Sequence, residues 1–266
     1  VKQIFVLALA ACLLQLAGGN AAARGRPDAR AAQVSVELID DRGRRLPVFP
    51  AASEAARIDR AYVEARPQAG YSVRVYNPTD VRIGVVIAVD GRNIISGARS
   101  ELAAGEAMYV IEPRQTAVYS GWRTSADEIR RFYFSELDDS YASRIGDESA
   151  IGVVAAAVFE SRREHEARVA RDDGAAAAAP KAAAEADASG RAERSSRAGT
   201  GFGDAARSHS VRVAFMPERE PSRRIFLKYE WEEQLCLRKV KRCDDANRFW
   251  PDVESGFVPL PPGPRG

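Results

Sequence analysis

From residue 33 onward, hydrophobic and polar positions alternate in short runs, the period-2 pattern of half-buried strands. Val34, Val36 and Leu38 alternate with Ser35, Glu37 and Ile39 before a turn at Asp40-Asp41-Arg42-Gly43. Ala61, Val63 and Ala65 share one face of a strand predicted over 57–66. Pro67-Gln68-Ala69-Gly70 turns the chain into 71–76, where Tyr71, Val73 and Val75 face one way and Ser72, Arg74 and Tyr76 the other. After Asn77-Pro78-Thr79-Asp80, the run 84–89 enters Asp90-Gly91 and continues as Arg92-Asn93-Ile94-Ile95. Asp-Gly between apolar runs predicts a two-residue hairpin, because both central positions of a type I′ turn need positive φ.

Further strands are predicted over 108–111, 116–119 and 130–134, the last with Phe132 and Phe134 on one face. The almost wholly apolar run 151–159 reads as a buried strand. Ser125-Ala126-Asp127-Glu128 fits a capping box and predicts a brief helical turn, and 138–141 a turn or short helix. Roughly eight to ten short strands, with no long amphipathic helix between them, predict an all-β fold: an antiparallel β-sandwich over 33–160.

Composition shifts at residue 161. The stretch 161–208 opens with charged residues that predict a short exposed helix, then passes through Ala175–Ala179 and Ala182–Ala184. Such a segment buries no core and reads as a flexible low-complexity linker. At its end, Gly199-Thr200-Gly201-Phe202-Gly203 lacks the lysine, preceding strand and following helix of a phosphate-binding loop. Strand patterning returns with Val211, Val213 and Phe215, and again with Ile225, Leu227, Tyr229 and Trp231 on one face. Residues 209–266 are therefore expected to form a small C-terminal β unit with a proline-rich tail. Its core is thin, so it is expected to pack on the sandwich and add strands to its edge.

The beginning of the chain suggests export. Lys2, an apolar run over 4–16 and Ala21-Ala22-Ala23 fit a secretory signal peptide over 1–23, followed by a loose mature start over 24–32. The apolar run is shorter than the roughly 20 residues a membrane span needs. Leu9-Ala10-Ala11-Cys12 resembles a lipoprotein cleavage site, so a lipid anchor at Cys12 competes with the periplasmic or secreted reading; the apolar run continues past Cys12. Cys236 and Cys243 then remain as an even pair, which in an exported protein predicts a disulfide. A hairpin through the basic stretch between them would bring the Cα atoms to the roughly 5.5 Å that a disulfide needs.

Charge and chemistry narrow the function classes. Lys plus Arg number 39 and Asp plus Glu 37, a net charge of +2, without the concentrated basic face of a nucleic-acid binder. No cofactor motif, metal set or membrane span is indicated. His165 lies among charged residues and His209 at the linker end, with no Ser or Cys partner nearby in sequence. Hydrolysis by two carboxylates would draw on Asp90, Glu128, Glu136, Asp138 and Asp139. Asp90 is already explained by its turn and Glu128 by its cap, and neither Asp138-Asp139 nor Asp244-Asp245 has calcium-loop spacing. Candidate binding residues are Trp122 and Arg123 in Gly121-Trp122-Arg123, together with Trp231, Phe249 and Trp250. Aromatic and guanidinium groups anchor interfaces, and a core role competes for each aromatic.

Several words of the sequence carry a resemblance. They are Val89-Asp90-Gly91-Arg92-Asn93, Tyr109-Val110-Ile111-Glu112-Pro113, Gly121-Trp122-Arg123, Phe132-Tyr133-Phe134 and Ile151-Gly152-Val153 with Ala157-Val158-Phe159. Lys228-Tyr229-Glu230-Trp231, Leu235-Cys236 and Asn247-Arg248-Phe249-Trp250-Pro251 join them. On these the chain resembles a family of uncharacterised exported bacterial β-rich proteins. The resemblance implies an envelope or secreted protein and transfers no catalytic residue. The expected function is a non-catalytic module that binds an envelope protein or polymer. The alternative is a periplasmic hydrolase acting on glycan or peptidoglycan through loop carboxylates.

Overall fold

The structure is a computed structural model and describes residues 33–53, 55, 57–162 and 197–243. The expected signal peptide with Cys12, the loose start, most of the linker with His165, and the segment carrying Asp244, Asp245, Phe249, Trp250 and the proline-rich tail lie outside the described residues.

The alternating runs form β1 (Ser35–Asp40), β2 (Val48–Pro50), β3 (Ile58–Ala65), β4 (Gly70–Tyr76), β5 (Ile83–Val89) and β6 (Arg92–Asn93). Next come β7 (Tyr109–Ile111), β8 (Thr116–Tyr119), β9 (Gly121–Arg123) and β10 (Glu128–Glu136). A 3-10 turn (Leu137–Asp139) and helix α1 (Tyr141–Arg144) lead to β11 (Val153–Glu160), β12 (Ala198–Thr200), β13 (Ala205–Arg207), β14 (Arg223–Trp231) and helix α2 (Glu232–Leu237). One sheet has the order β1-β4-β10-β12, with β8 on β4 and with β9 and β13 on β10. The other has the order β2-β3-β14-β11-β5-β6, with β7 on β5. Every pairing is antiparallel except β3 with β14, which run parallel.

The sheets share one core, as a β-sandwich requires. Leu38, Tyr71, Val73, Val75, Phe132 and Phe134 come from the first sheet, and Val63, Val85, Ile87, Val154, Ala156, Leu227 and Tyr229 from the second. β5 is buried along its whole length. Its other face, Val86 and Ala88, packs with Ala157, Phe159 and Leu102 in a second cluster against Ala104 and Met108. Burial on both faces is why this run lacks alternation in the sequence. Among the described residues no helix is long and apolar enough to cross a membrane.

Five local expectations are corrected, the last at the disulfide. Residues 198–207, expected as linker, carry β12 and β13, both antiparallel to β10. The small side chains that make this stretch look like linker are what its position requires, since a Cβ at Gly201 would overlap the Tyr133 ring. β14 does not extend an edge: it lies between β3 and β11, with Leu227 opposite both Ala61 and Val154. Ile225, Leu227 and Tyr229 fill the core while Phe226 meets the second cluster, so the strand has apolar surface for two neighbours and two faces. Ser125–Glu128 is a hairpin turn rather than a helical one. The N–H groups of Thr124 and Ser125 donate to Glu128 O at 3.0 and 3.2 Å, and Glu128 opens β10. The alternating stretch 211–215 is no part of a strand; it is tied by Ser210 N–H to Ala126 O before it and by Arg162 N–H to Met216 O after it, at 2.8 and 2.9 Å.

The Cys236–Cys243 disulfide is present, with its Cα atoms 5.5 Å apart. Its loop is a helix end rather than a hairpin. Cys236 belongs to α2, Lys239 takes a left-handed φ of +57°, and the N–H groups of Val240 and Lys241 return to Leu235 O. This brings Lys241 over β3 and β14, where Glu64 and Glu230 are register neighbours. Lys241 Nζ pairs with Glu64 at 2.8 Å, and Glu230 with Lys228 at 3.0 Å and Arg238 at 3.6 Å.

Candidate functional site

The aromatic and guanidinium candidates are placed mostly inside. Trp122 is 3% exposed, its Nε1–H donates to Gly201 O at 3.1 Å, and its ring meets Phe132 edge-on. Arg123 spends its guanidinium on the fold. Nε–H donates to Tyr109 Oη at 2.9 Å, and the two NH2 groups donate to the carbonyls of Ser125, Ala126 and Ser208 and to Ser208 Oγ. Trp231 ends β14, half-buried against the core. The carboxylates weighed for hydrolysis do not converge. Glu136, Asp138 and Asp139 are exposed around the 3-10 turn, and Asp139 pairs with Arg144 at 3.1 Å.

Ser125, Asp127 and His209 share one surface hollow, and His209 Nδ1 lies 2.6 Å from Asp127 Oδ1. The residue types match a hydrolytic triad, but the arrangement does not activate a nucleophile. Ser125 Oγ accepts the Asp127 N–H and makes no hydrogen bond to His209. His209 and Asp127 are 76% and 73% exposed, where water screens the pair and leaves the imidazole without a buried orienting acid. Among the described residues no group of three or more His, Cys, Asp or Glu side chains is placed to hold a metal ion.

Among the described residues the most deeply buried carboxylate is Asp90, in the β5–β6 turn at a left-handed φ of +49°. Its side chain is wholly buried. Oδ1 accepts the Gly152 N–H at 2.8 Å and the Tyr229 hydroxyl at 2.5 Å, and Oδ2 accepts the Thr200 N–H at 2.7 Å. Thr200 Oγ1 lies 2.6 Å from Tyr229 Oη and 2.8 Å from Tyr71 Oη. Each hydroxyl has one proton, so an ionised Asp90 sets the direction of the whole chain. Tyr71 donates to Thr200, Thr200 to Tyr229, and Tyr229 to the carboxylate. Burial pushes Asp90 up to about 6 against the pull of these donors, and burial also raises Tyr71 and Tyr229 well above the ordinary tyrosine value. With no access to solvent the network is a structural joint. It ties β12 to the β5–β6 turn, and β12 leads directly into the surface described next.

That surface is a hollow of about 560 Å³ on the outer face of the first sheet. Phe132 and Phe134 point into the core, so Arg131 and Tyr133, which alternate with them, point outward. Asp41 comes from the turn after β1, Gln68 from the β3–β4 turn at a left-handed φ of +60°, and Phe202, Gly203 and Asp204 from the link between β12 and β13. Glycines make the depression. A Cβ at Gly203 would come within 2.8 Å of Arg131 O, and one at Gly70 within 2.7 Å of Asp41 Oδ2. With Gly201 they let the Tyr133 ring lie against bare backbone, which fixes its orientation. Phe202 stacks on Tyr141 at 5.2 Å and lies under the Arg130 guanidinium. Among the described residues, the side chains of Asp41, Gln68, Arg131 and Asp204 and the Tyr133 hydroxyl make no hydrogen bond or ion pair.

Sequence reading singled out neither Tyr133 nor the 201–204 backbone as a site. A clue was present: placing Phe132 and Phe134 inward commits Tyr133 to the opposite face. What hid the site was the small-residue composition of 197–208, which resembles linker until β10 lies beside it. Comparison with family models, curated proteins and solved structures finds no match to this chain.

Proposed function

We propose that this protein is a non-catalytic binding module of the cell envelope that holds an envelope polymer against the outer face of its first sheet. The observation that carries the reading is the hollow around Tyr133: an oriented aromatic ring surrounded by polar side chains that have no partner within the described chain. Binding sites are commonly built this way, with a few convergent polar groups around an apolar platform. A buried joint holds one wall of the hollow in place, since Thr200 is bonded to Asp90 and Tyr229 two residues before Phe202. Nothing at the hollow resembles a nucleophile with its base. The apolar segment 4–16 and the disulfide support an exported location.

The test is co-sedimentation of the purified full chain with isolated envelope polymer, such as sacculi, alongside the Tyr133→Ala and Arg131→Ala variants. Retention of the native protein and loss of both variants is expected. Equal retention of all three would remove the hollow as the binding surface, and no retention of the native protein would remove the polymer reading. Recovery of the protein from the periplasm or medium, with its N-terminus at residue 24, is the expected outcome for location.

A further inference from the structure

The hollow's chemistry selects among polymers. Arg131 and Arg130, the latter paired with Glu128 at 3.7 Å, line it together with two carboxylates, Asp41 and Asp204, so both signs of charge are present. A phosphate-rich or carboxylate-rich chain is acceptor-only and meets Asp41 and Asp204 as like charges. A polyamine is donor-only and meets Arg130 and Arg131 in the same way. A hydroxyl both donates and accepts, so one polyhydroxylated ligand satisfies the guanidinium of Arg131 and the carboxylates of Asp41 and Asp204 together. The Gln68 amide, itself donor and acceptor, suits the same partner.

A peptide strand also donates and accepts, but it needs an unpaired strand edge to join. β10 offers none here. On one side Phe132 and Tyr133 pair with Tyr71 and Gly70 of β4. On the other, the N–H groups of Gly201 and Gly203 donate to the carbonyls of Tyr133 and Arg131 at 2.9 and 3.0 Å. With backbone occupied on both sides, recognition falls to side chains and to the exposed part of the Tyr133 ring, an apolar surface against which the C–H face of a sugar ring packs.

Resting on the binding role proposed above, we infer that the ligand of the Tyr133 hollow is a neutral saccharide segment, with a sugar ring against Tyr133 and its hydroxyls shared among Arg131, Asp41 and Asp204. The open hollow accepts an internal stretch of chain without needing a chain end.

Titration calorimetry of the full chain tests this with four probes: N-acetylglucosamine tetramer, cellotetraose, polyglutamate and polylysine, each at low and at physiological salt. At least one neutral oligosaccharide is expected to bind with little salt dependence. Tyr133→Ala should weaken it by about tenfold or more, while Tyr133→Phe, which keeps the ring, should stay within about threefold. Asp204→Asn, at an exposed position, is expected to fold as the native chain does and to weaken the same oligosaccharide, which guards against a folding defect in Tyr133→Ala. Binding of either charged polymer that collapses with salt and ignores Tyr133 would overturn the assignment. So would saccharide binding indifferent to both Tyr133 and Asp204. If no oligosaccharide binds while sacculi still retain the protein through Tyr133, the saccharide assignment falls and the binding role stands. If sacculi do not retain it either, both fall.

Discussion

Tyr229 donates its phenolic proton to Asp90 Oδ1 at 2.5 Å, and through Thr200 the same hydroxyl is linked to Tyr71 in the opposite sheet. An interior strand of one sheet, a hairpin turn and a strand of the other sheet thus meet at one buried carboxylate. A group with so few solvent contacts makes its charge state part of the folding equilibrium. Burial raises Asp90 from its ordinary 3.8 to about 6. The folded chain therefore binds this proton more tightly than the unfolded chain does. Asp90's contribution to stability is largest below about pH 4, declines as pH rises toward about 6 and is flat above that. The difference corresponds to roughly 3 kcal/mol. Urea unfolding of the native protein and Asp90→Asn from pH 4 to pH 7.5 checks this. The stability gap between the two should change across pH 4–6 and stay constant above it. Parallel profiles throughout would show that the folded chain binds the Asp90 proton no more tightly than the unfolded chain does.

Asp90→Asn also carries a cost that does not depend on the charge. Whichever way the amide is turned, an NH2 replaces one acceptor, facing either the Thr200 N–H or the donors from Gly152 and Tyr229. A loss of about 1–3 kcal/mol at pH 7 is expected. Tyr229→Phe should cost a similar amount by removing a donor from the carboxylate, and should move the Asp90 transition to higher pH. Chemical denaturation with an NMR titration of the Asp90 carboxyl separates the two effects.

Arg123 holds the start of the 208–217 segment by bonds that only a planar guanidinium can make together. Arg123→Lys retains the charge and loses most of these contacts. A loss of about 1–3 kcal/mol is expected, with faster limited proteolysis between Ser208 and Pro217. Unchanged proteolysis would show that the segment is held by other contacts.

The disulfide closes the loop that carries Arg238 to Glu230 and Lys241 to Glu64. Closing so small a loop restrains the unfolded chain by about 2 kcal/mol, and Cys236→Ser with Cys243→Ser should lose about that much. Among the described residues, Lys241→Met leaves Glu64 with only the more distant Arg66 at 3.6 Å. Its destabilisation should be larger at pH 7 than at pH 4, because Lys241 also holds the Glu232 carboxyl below its ordinary value and that part of its contribution fades as pH falls. Thermal melts at the two pH values read this directly, and equal shifts at both would argue that Lys241 contributes packing alone.

Gly201→Ala places a methyl in the Tyr133 ring. Since Tyr133 is only half-buried, the ring is expected to swing outward rather than the sheet to break. Stability should fall by about 1–3 kcal/mol, and retention on envelope polymer should fall with it. A variant that loses stability but binds normally would show that the ring's orientation does not matter to the ligand.

Local pattern in the sequence determined most strands of this protein, because a half-buried strand writes its two faces into alternate residues. Tyr71, Val73 and Val75 in β4, and Phe132 and Phe134 in β10, are legible for that reason. So is the Asp90-Gly91 turn, whose backbone demands those residue types. The tertiary structure alone decided where β14 inserts, since a run with apolar residues on both faces fits an interior position equally well in several places. It alone turned the glycines at 201 and 203 from apparent linker into the floor beneath Tyr133, because a glycine's role depends on what approaches it. The same holds for chemistry: an Asp at a hairpin turn is ordinary until Thr200 and Tyr229, distant in sequence, close over it and remove its water.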